Sequence, residues 1–149
     1  MKTNAVQLPV AGTWALPFAA YYAFLANRIV YYRLKHSKYS GESTGEAGTE
    51  SSDPAADPLF CASRAHANFG ENVPVTLLLA IIAELNGADR RRLHYVLGLL
   101  LALRVLQAEL GLARPGGRAQ GRTLGYFGTQ GIMLGLAGWA GKLVGYSWS

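Results

Sequence analysis

The chain is 149 residues long, with 50% apolar and only 15% charged residues, where an ordinary soluble domain carries about a quarter charged; this argues against a water-soluble globule and leaves room for one domain. Lysine and arginine outnumber aspartate and glutamate by 14 to 9, yet the basic residues flank apolar segments and form no aromatic-interleaved stripe, so lipid headgroups and an anionic small molecule fit better than nucleic acid. Cys61 is the only cysteine, which excludes an intrachain disulfide and a multi-cysteine metal centre, and no metal site is expected.

The first apolar block runs from about Val10 to Tyr32, roughly 23 residues, enough at 1.5 Å per residue to span a ~30 Å hydrocarbon layer with some tilt. A cleaved signal peptide would have a shorter apolar core ending at small residues. Here the run continues through Tyr21, Tyr22, Tyr31 and Tyr32 into Arg33 and Lys35, an aromatic belt followed by a basic stop, and it reads as a membrane anchor. Residues from about 36 to 58 are rich in Ser, Gly, Glu, Thr, Asp and Pro, the composition of a flexible polar loop in which no chemistry is sought.

A second helix is predicted from about Leu59 to Leu85, closed by the stop pair Asn86-Gly87. Its first half is polar and its second half apolar, and at ~40 Å it crosses a bilayer and carries its polar foot at the boundary. Pro74 removes one backbone hydrogen bond and is expected to kink it. The third block, about Leu93 to Leu112, is leucine-rich but interrupted by His94, Arg104, Gln107 and Glu109. A hinge over 113–118 leads to the fourth block, about Gly121 to Val144. There Gly121, Gly125, Gly128, Gly131, Gly135, Gly138, Gly141 and Gly145 recur at steps of three or four, so they line one helical face and let another helix approach closely. The fold class is therefore all-α integral membrane, a bundle of four transmembrane helices in a single domain.

Arg28, Arg33, Lys35, Lys38, Arg64, Arg114, Arg118 and Arg122 fall on one side of such a bundle, and Lys2, Arg90, Arg91, Arg92 and Lys142 on the other. The larger group places the polar loop and the 113–118 hinge in the cytosol and both termini outside. Either an endoplasmic-reticulum-type membrane or a bacterial inner membrane accommodates this plan.

Positions 64, 68 and 71 are spaced by four and three, so Arg64, Asn68 and Glu71 share one face of the second helix. Arg104 and Gln107 share a face of the third, and Arg122 and Tyr126 one of the fourth. Arginine offers a rigid fork for carboxylates, glutamate accepts from an ammonium, and asparagine bonds a peptide group. Together they suit a small peptide bearing carboxylates and an amine. Each also has a plainer reading: Arg64 as a snorkelling interface residue, Glu71 as its structural ion-pair partner, Arg104 as a partner of Glu109 or of a neighbouring carbonyl, Arg122 as an interfacial cation. His66 and His94 read as packing residues and are left out of the site.

Arg64-Ala-His-Ala-Asn68-x-x-Glu71-x-x-Pro74, Arg104 inside the third helix and Arg122-Thr-Leu-Gly-Tyr126 opening the fourth resemble the MAPEG family, the membrane-associated proteins in eicosanoid and glutathione metabolism. The resemblance implies a four-helix membrane bundle assembled as a homotrimer, with glutathione bound between subunits near the cytosolic face. It implies that Arg64, Asn68 and Glu71 hold the glutathione backbone, that Arg104 holds a carboxylate and that Tyr126 completes the cradle. Arg122 matches the arginine that stabilises the glutathione thiolate in catalytic members, and Thr123 stands where some members place a serine that bonds the sulfur. A thiol has an ordinary pKa of about 8.5, so a permanent cation beside it raises the nucleophilic anion fraction at neutral pH. The second substrate would be a lipophilic electrophile or lipid hydroperoxide arriving from the bilayer.

Several animal members carry tyrosines near the positions of Gln107 and Gly111, and this chain has neither. The activity implied is a glutathione-dependent transferase or peroxidase; the alternative is a non-catalytic lipid-binding or scaffold protein of the same fold. A channel or transporter subunit gains little support from a short chain without internal repeats.

Overall fold

The structure is a computed structural model that describes residues 7–44, 57–112 and 119–145, with side chains described from 123 onward in the last stretch. Four α-helices, α1 (Pro9–Lys35), α2 (Pro58–Leu85), α3 (Arg90–Leu106) and α4 (Ala119–Leu143), account for the regular structure there, and α3 continues into a π-helical turn, Gln107–Leu112. No strand occurs among the described residues. The four predicted helices are thus present, each end within a few residues of its expected place. The exception is the last stretch of the third block, which widens into the π turn. The wider turn keeps Gln107, Ala108 and Gly111 buried while Glu109 reaches out to α1, an interruption of a kind often found at functional sites.

The helix ends show how the bundle is tied together. α1 begins at a proline, which has no N–H to satisfy, and Leu8 before it offers no side-chain acceptor. The carboxylate comes from α2 instead: Glu84 accepts from Val10 N at 2.8 Å and from Ala11 N at 2.9 Å, meeting two otherwise orphaned donors at the positive end of the helix dipole. α2 is capped by Asp57, whose Oδ1 accepts from Leu59 N and Phe60 N. Its Oδ2 accepts from Ser43 Oγ and from Thr44 N and Oγ1. One carboxylate therefore starts a helix and closes both described ends of the polar loop. Burial pushes the Asp57 carboxyl up, but the hydrogen bonds from Thr44, Ser43, Phe60 and Leu59 together outweigh it and hold the group below its ordinary 3.8.

Among the described residues the α1 and α4 backbones do not approach one another; each packs against both α2 and α3, which meet across the middle. The core follows heptad-like spacing, with Val10, Phe18 and Leu25 from α1, Ala65, Phe69, Val73 and Ala80 from α2, and Leu93, Leu97 and Leu100 from α3. Rings fill the α1–α2 seam: Tyr22 stacks on His66 at 4.5 Å between centroids and Phe69 meets Phe18, Tyr21 and Tyr22. On α3, His94 Nδ1 accepts from Trp14 Nε1 at 3.0 Å, so both histidines serve packing. α2 is helical through Pro74 without a break.

The glycine stripe differs from expectation. A Cβ at Gly125 or Gly128 would strike Gln107 or Leu103 of the neighbouring helix, but at Gly131, Gly135, Gly138 and Gly141 it would meet nothing within 4 Å. Thr129, Leu136 and Ala140 form the buried face of α4, and the later glycines lie off it. Only the first part of the stripe packs within the subunit.

Among the described residues two stretches, Pro58–Leu85 and Arg90–Leu112, are long and apolar enough to cross a membrane. All four helices nevertheless expose large apolar side chains, among them Leu16, Leu78, Leu99 and Leu134, more than the outside of a soluble bundle normally shows.

Two outcomes follow from the helix ends. Glu84→Ala should lower stability by about 1 to 2 kcal/mol through loss of the α1 cap, seen as faster amide exchange at Val10 and Ala11. Because folding lowers the Asp57 pKa, its stabilisation is complete above the ordinary carboxylate value and is lost as pH falls through the folded one. Protection of the Leu59 and Phe60 amides relative to their intrinsic exchange should therefore fall as pH drops below the ordinary carboxylate value in the native protein and be low at every pH in Asp57→Ala.

Candidate functional site

Arg104 is the centre of the polar region. It sits near the end of α3 with 2% of its surface exposed, where a guanidinium must find acceptors inside the protein. Nη1 donates to Asn68 Oδ1 of α2 at 2.8 Å and Nη2 to the Gly125 carbonyl of α4 at 2.6 Å. One side chain thus ties three helices together.

The polar region extends along α2 and α4. Asn72, one turn after Asn68, donates from Nδ2 to the Asn68 carbonyl at 2.8 Å, and its Oδ1 lies 3.4 Å from Gln130 Nε2 of α4. Thr76 donates to the Asn72 carbonyl. Gln107 and Thr129 are buried on the α3 and α4 sides. Arg104 Nε, Gln107 Oε1 and Thr129 Oγ1 are buried without a hydrogen-bond partner among the described residues.

Of the residues expected to form the site, the structure brings Arg104 and Asn68 into contact. Arg64 and Glu71 lie exposed on α2 with Asn68 half-buried between them, and neither forms an ion pair with the other or with Arg104 among the described residues. Tyr126 is 47% exposed on α4, next to the Gly125 that Arg104 holds. Thr123 is exposed in the same part of α4. Arg122 falls within the first turn of α4, but its side chain lies outside the described residues.

Two of the Arg104 nitrogens hydrogen-bond within the chain, to Asn68 and to the Gly125 carbonyl, while Nε meets no partner among the described residues. Among those residues Arg104 does not pair with Glu109, which instead accepts from Arg28 Nη2 at 2.5 Å and from the Tyr21 hydroxyl at 2.9 Å. The carbonyl reading of Arg104 is the one the geometry matches. Asn72, Gln130 and Thr129 were missed by sequence reasoning, although the four-residue step from Asn68 to Asn72 signals the first.

On the α1 side of α2, away from the contacts of Asn68 and Asn72 with α3 and α4, an apolar groove of about 400 Å³ opens between α1 and α2, lined in part by Phe18, Tyr22, Phe69, Val73, Pro74 and Leu77. That volume suits a small lipophilic molecule. Pro74 lies three residues from Glu71, on a neighbouring part of the helix surface.

The Gly125 contact yields a test of the packing. A methyl group there would sit 2.4 Å from Gln107 Cβ, so Gly125→Ala should destabilise the bundle by about 1 to 3 kcal/mol, read as a lower unfolding midpoint in detergent.

No curated protein and no solved structure matches the chain. The model of the MAPEG family matches residues 11–142. That range reaches all four blocks and includes the α2 motif and Arg104, and the chain belongs to the MAPEG family, whose members are membrane proteins related to glutathione and eicosanoid metabolism.

Proposed function

We propose that the protein is a membrane-bound, glutathione-dependent transferase or peroxidase acting on a lipophilic electrophile or a lipid hydroperoxide. The observation that carries this reading is the α2 face itself. Asn68 is half-buried with its Oδ1 turned to Arg104, and Arg64 and Glu71 stand exposed on either side. Arginine donates only, so Asn68 meets it with oxygen and retains its Nδ2 donors for a ligand. A donor fork, an amide donor and a carboxylate in a row suit a tripeptide with two carboxylates, peptide carbonyls and one ammonium group. Tyr126 offers a further hydroxyl from α4.

In this reading Arg122 keeps the sulfur ionised and Thr123 donates to it, with the thiol proton leaving to solvent at the cytosolic boundary. The sulfur electron pair then forms a bond to the electrophilic carbon as the leaving group departs with its own pair. With a hydroperoxide the thiolate attacks the terminal peroxide oxygen, the O–O bond breaks and the alkoxide takes up a proton and leaves as the alcohol; the resulting glutathione sulfenic acid then reacts with a second glutathione thiol to give the disulfide and water. Water-poor surroundings favour either attack. The groove between α1 and α2 is a route for a lipophilic partner from the bilayer.

All four helices cross the membrane in this proposal, with both termini outside the cytosol, and three copies assemble. Two features support assembly: Arg64 and Glu71 have no ion-pair partner within the described residues of one subunit, and the later glycines of α4 face open space. The second reading, a non-catalytic lipid-binding or scaffold protein, draws on the same apolar groove and on Gln107 and Gly111 where several members have tyrosines.

Calorimetric titration of the detergent-solubilised protein with glutathione, beside a conjugation assay with an aromatic electrophile, separates the readings. Binding with turnover is expected; binding without turnover selects the second reading, and no binding rejects the enzyme. Arg122→Ala should lower turnover by about two orders of magnitude, the usual scale for one lost stabilising donor, with a smaller effect on glutathione affinity. Unchanged turnover removes Arg122 from the mechanism.

A further inference from the structure

We infer that Arg104 is a positioning residue: it orients the Asn68 amide on α2 and holds the Gly125 turn of α4, so that the ligand-facing wall and the turn carrying Thr123 and Tyr126 keep one fixed relation. The inference rests on the glutathione reading for its effect on ligand, and on geometry alone for its effect on the fold.

A guanidinium has five N–H groups and no acceptor, and Arg104 is 2% exposed, so its polarity dictates that of its neighbours. Asn68 presents Oδ1 to Nη1, and the amide cannot turn over without setting its own N–H₂ against a donor. Its orientation is set from behind, by a residue buried away from the solvent-facing Arg64 and Glu71.

The second contact acts on α4. The Gly125 carbonyl accepts from Nη2 at 2.6 Å, the short distance of a charge-assisted hydrogen bond. Gly125 also lies so close to Gln107 that a Cβ there would clash. The helix is therefore held at one residue by a hydrogen bond and by a backbone approach that only glycine allows. Tyr126 follows this residue and Thr123 precedes it by two. A shift of α4 at Gly125 moves both.

A carboxylate ligand for Arg104 would need access to the guanidinium. Arg104 is only 2% exposed, and Nη1 and Nη2 each direct one N–H to a partner within the chain, Asn68 and Gly125. Its burial assigns direct contact with a carboxylate to the exposed Arg64, and Arg104 acts through Asn68 and Gly125.

Arg104→Lys tests this, because lysine keeps the charge but has no planar fork to reach two acceptors on different helices. The variant should show faster amide exchange over residues 126–129 in the ligand-free protein. It should bind glutathione about tenfold more weakly, the scale of one charge-assisted hydrogen bond, and the acid limb of its rate–pH profile should move to higher pH. The same factor should apply to glutathione esterified at its glycyl carboxylate and to an analogue lacking the γ-glutamyl α-carboxylate. An arginine in direct contact with a carboxylate would instead lose its preference for glutathione over one of these analogues, and that result overturns the inference. Unchanged exchange over 126–129 overturns it as well, whether or not glutathione binds. Failure of the wild-type protein to bind glutathione strikes the functional reading, while the exchange result still decides the α4 contact. Asn68→Asp gives a second variant should Arg104→Lys not fold: it keeps an acceptor for Arg104, so α4 exchange should stay native while glutathione binding falls. Faster α4 exchange in that variant also counts against the inference.

Discussion

A guanidinium buried among helices leaves little freedom to what surrounds it. Arg104 must have oxygens opposite its N–H groups, and two of its neighbours supply them, a side-chain amide on α2 and a main-chain carbonyl on α4. The cost of a buried charge is large unless it is hydrogen-bonded, so these contacts cannot be exchanged freely for others. The polarity of Asn68 follows from placing that one side chain at that depth, while the glycine at position 125 follows from the close passage of Gln107. The later glycines of α4 are free of this constraint and do not pack within the subunit.

The same economy governs the helix ends. A membrane-embedded bundle gains little hydrophobic drive from helix association, since lipid chains are as apolar as leucine. Polar contacts and ring packing then carry more of the specificity. Glu84 joins the end of α2 to the start of α1, Asp57 joins the start of α2 to the loop before it, and Glu109 joins the π turn to Tyr21 and Arg28 of α1. Glu84 and Glu109 bridge segments distant in sequence, while Asp57 closes a stretch of 13 or 14 residues. Between them, Trp14, Phe18, Tyr22, His66 and Phe69 fill the α1–α2 seam with rings.

For function, the polar residues divide by burial. Those facing outward on α2, Arg64 and Glu71, remain free of ion pairs among the described residues and are able to meet a ligand or another subunit. Those facing inward, Arg104, Gln107 and Thr129, shape the interior. Asn68 stands at the boundary with its oxygen inward and its donors available. In the proposed reading the chemistry lies on the surface of the chain and its geometry is set inside, which suits a ligand bound at an edge of the bundle.

Much of this was legible in the order of residues. Four apolar blocks with polar punctuation determined four helices, because the backbone in an apolar setting must bond to itself. The spacing of 64, 68 and 71 determined a shared helical face, and the α2 motif with Arg104 pointed to the family. What only tertiary structure decided was partnership. The sequence allowed Arg104 to meet a ligand, Glu109 or a carbonyl, and packing selected the Asn68 oxygen and the Gly125 carbonyl. It likewise gave Glu109 to Arg28 and Tyr21, and divided a uniform glycine stripe into a packed part and an open one. Periodicity states which residues share a helix face. Which oxygen lies within 3 Å of a buried nitrogen depends on how separate helices are rotated and shifted against one another, and that is set by the packing of the whole bundle.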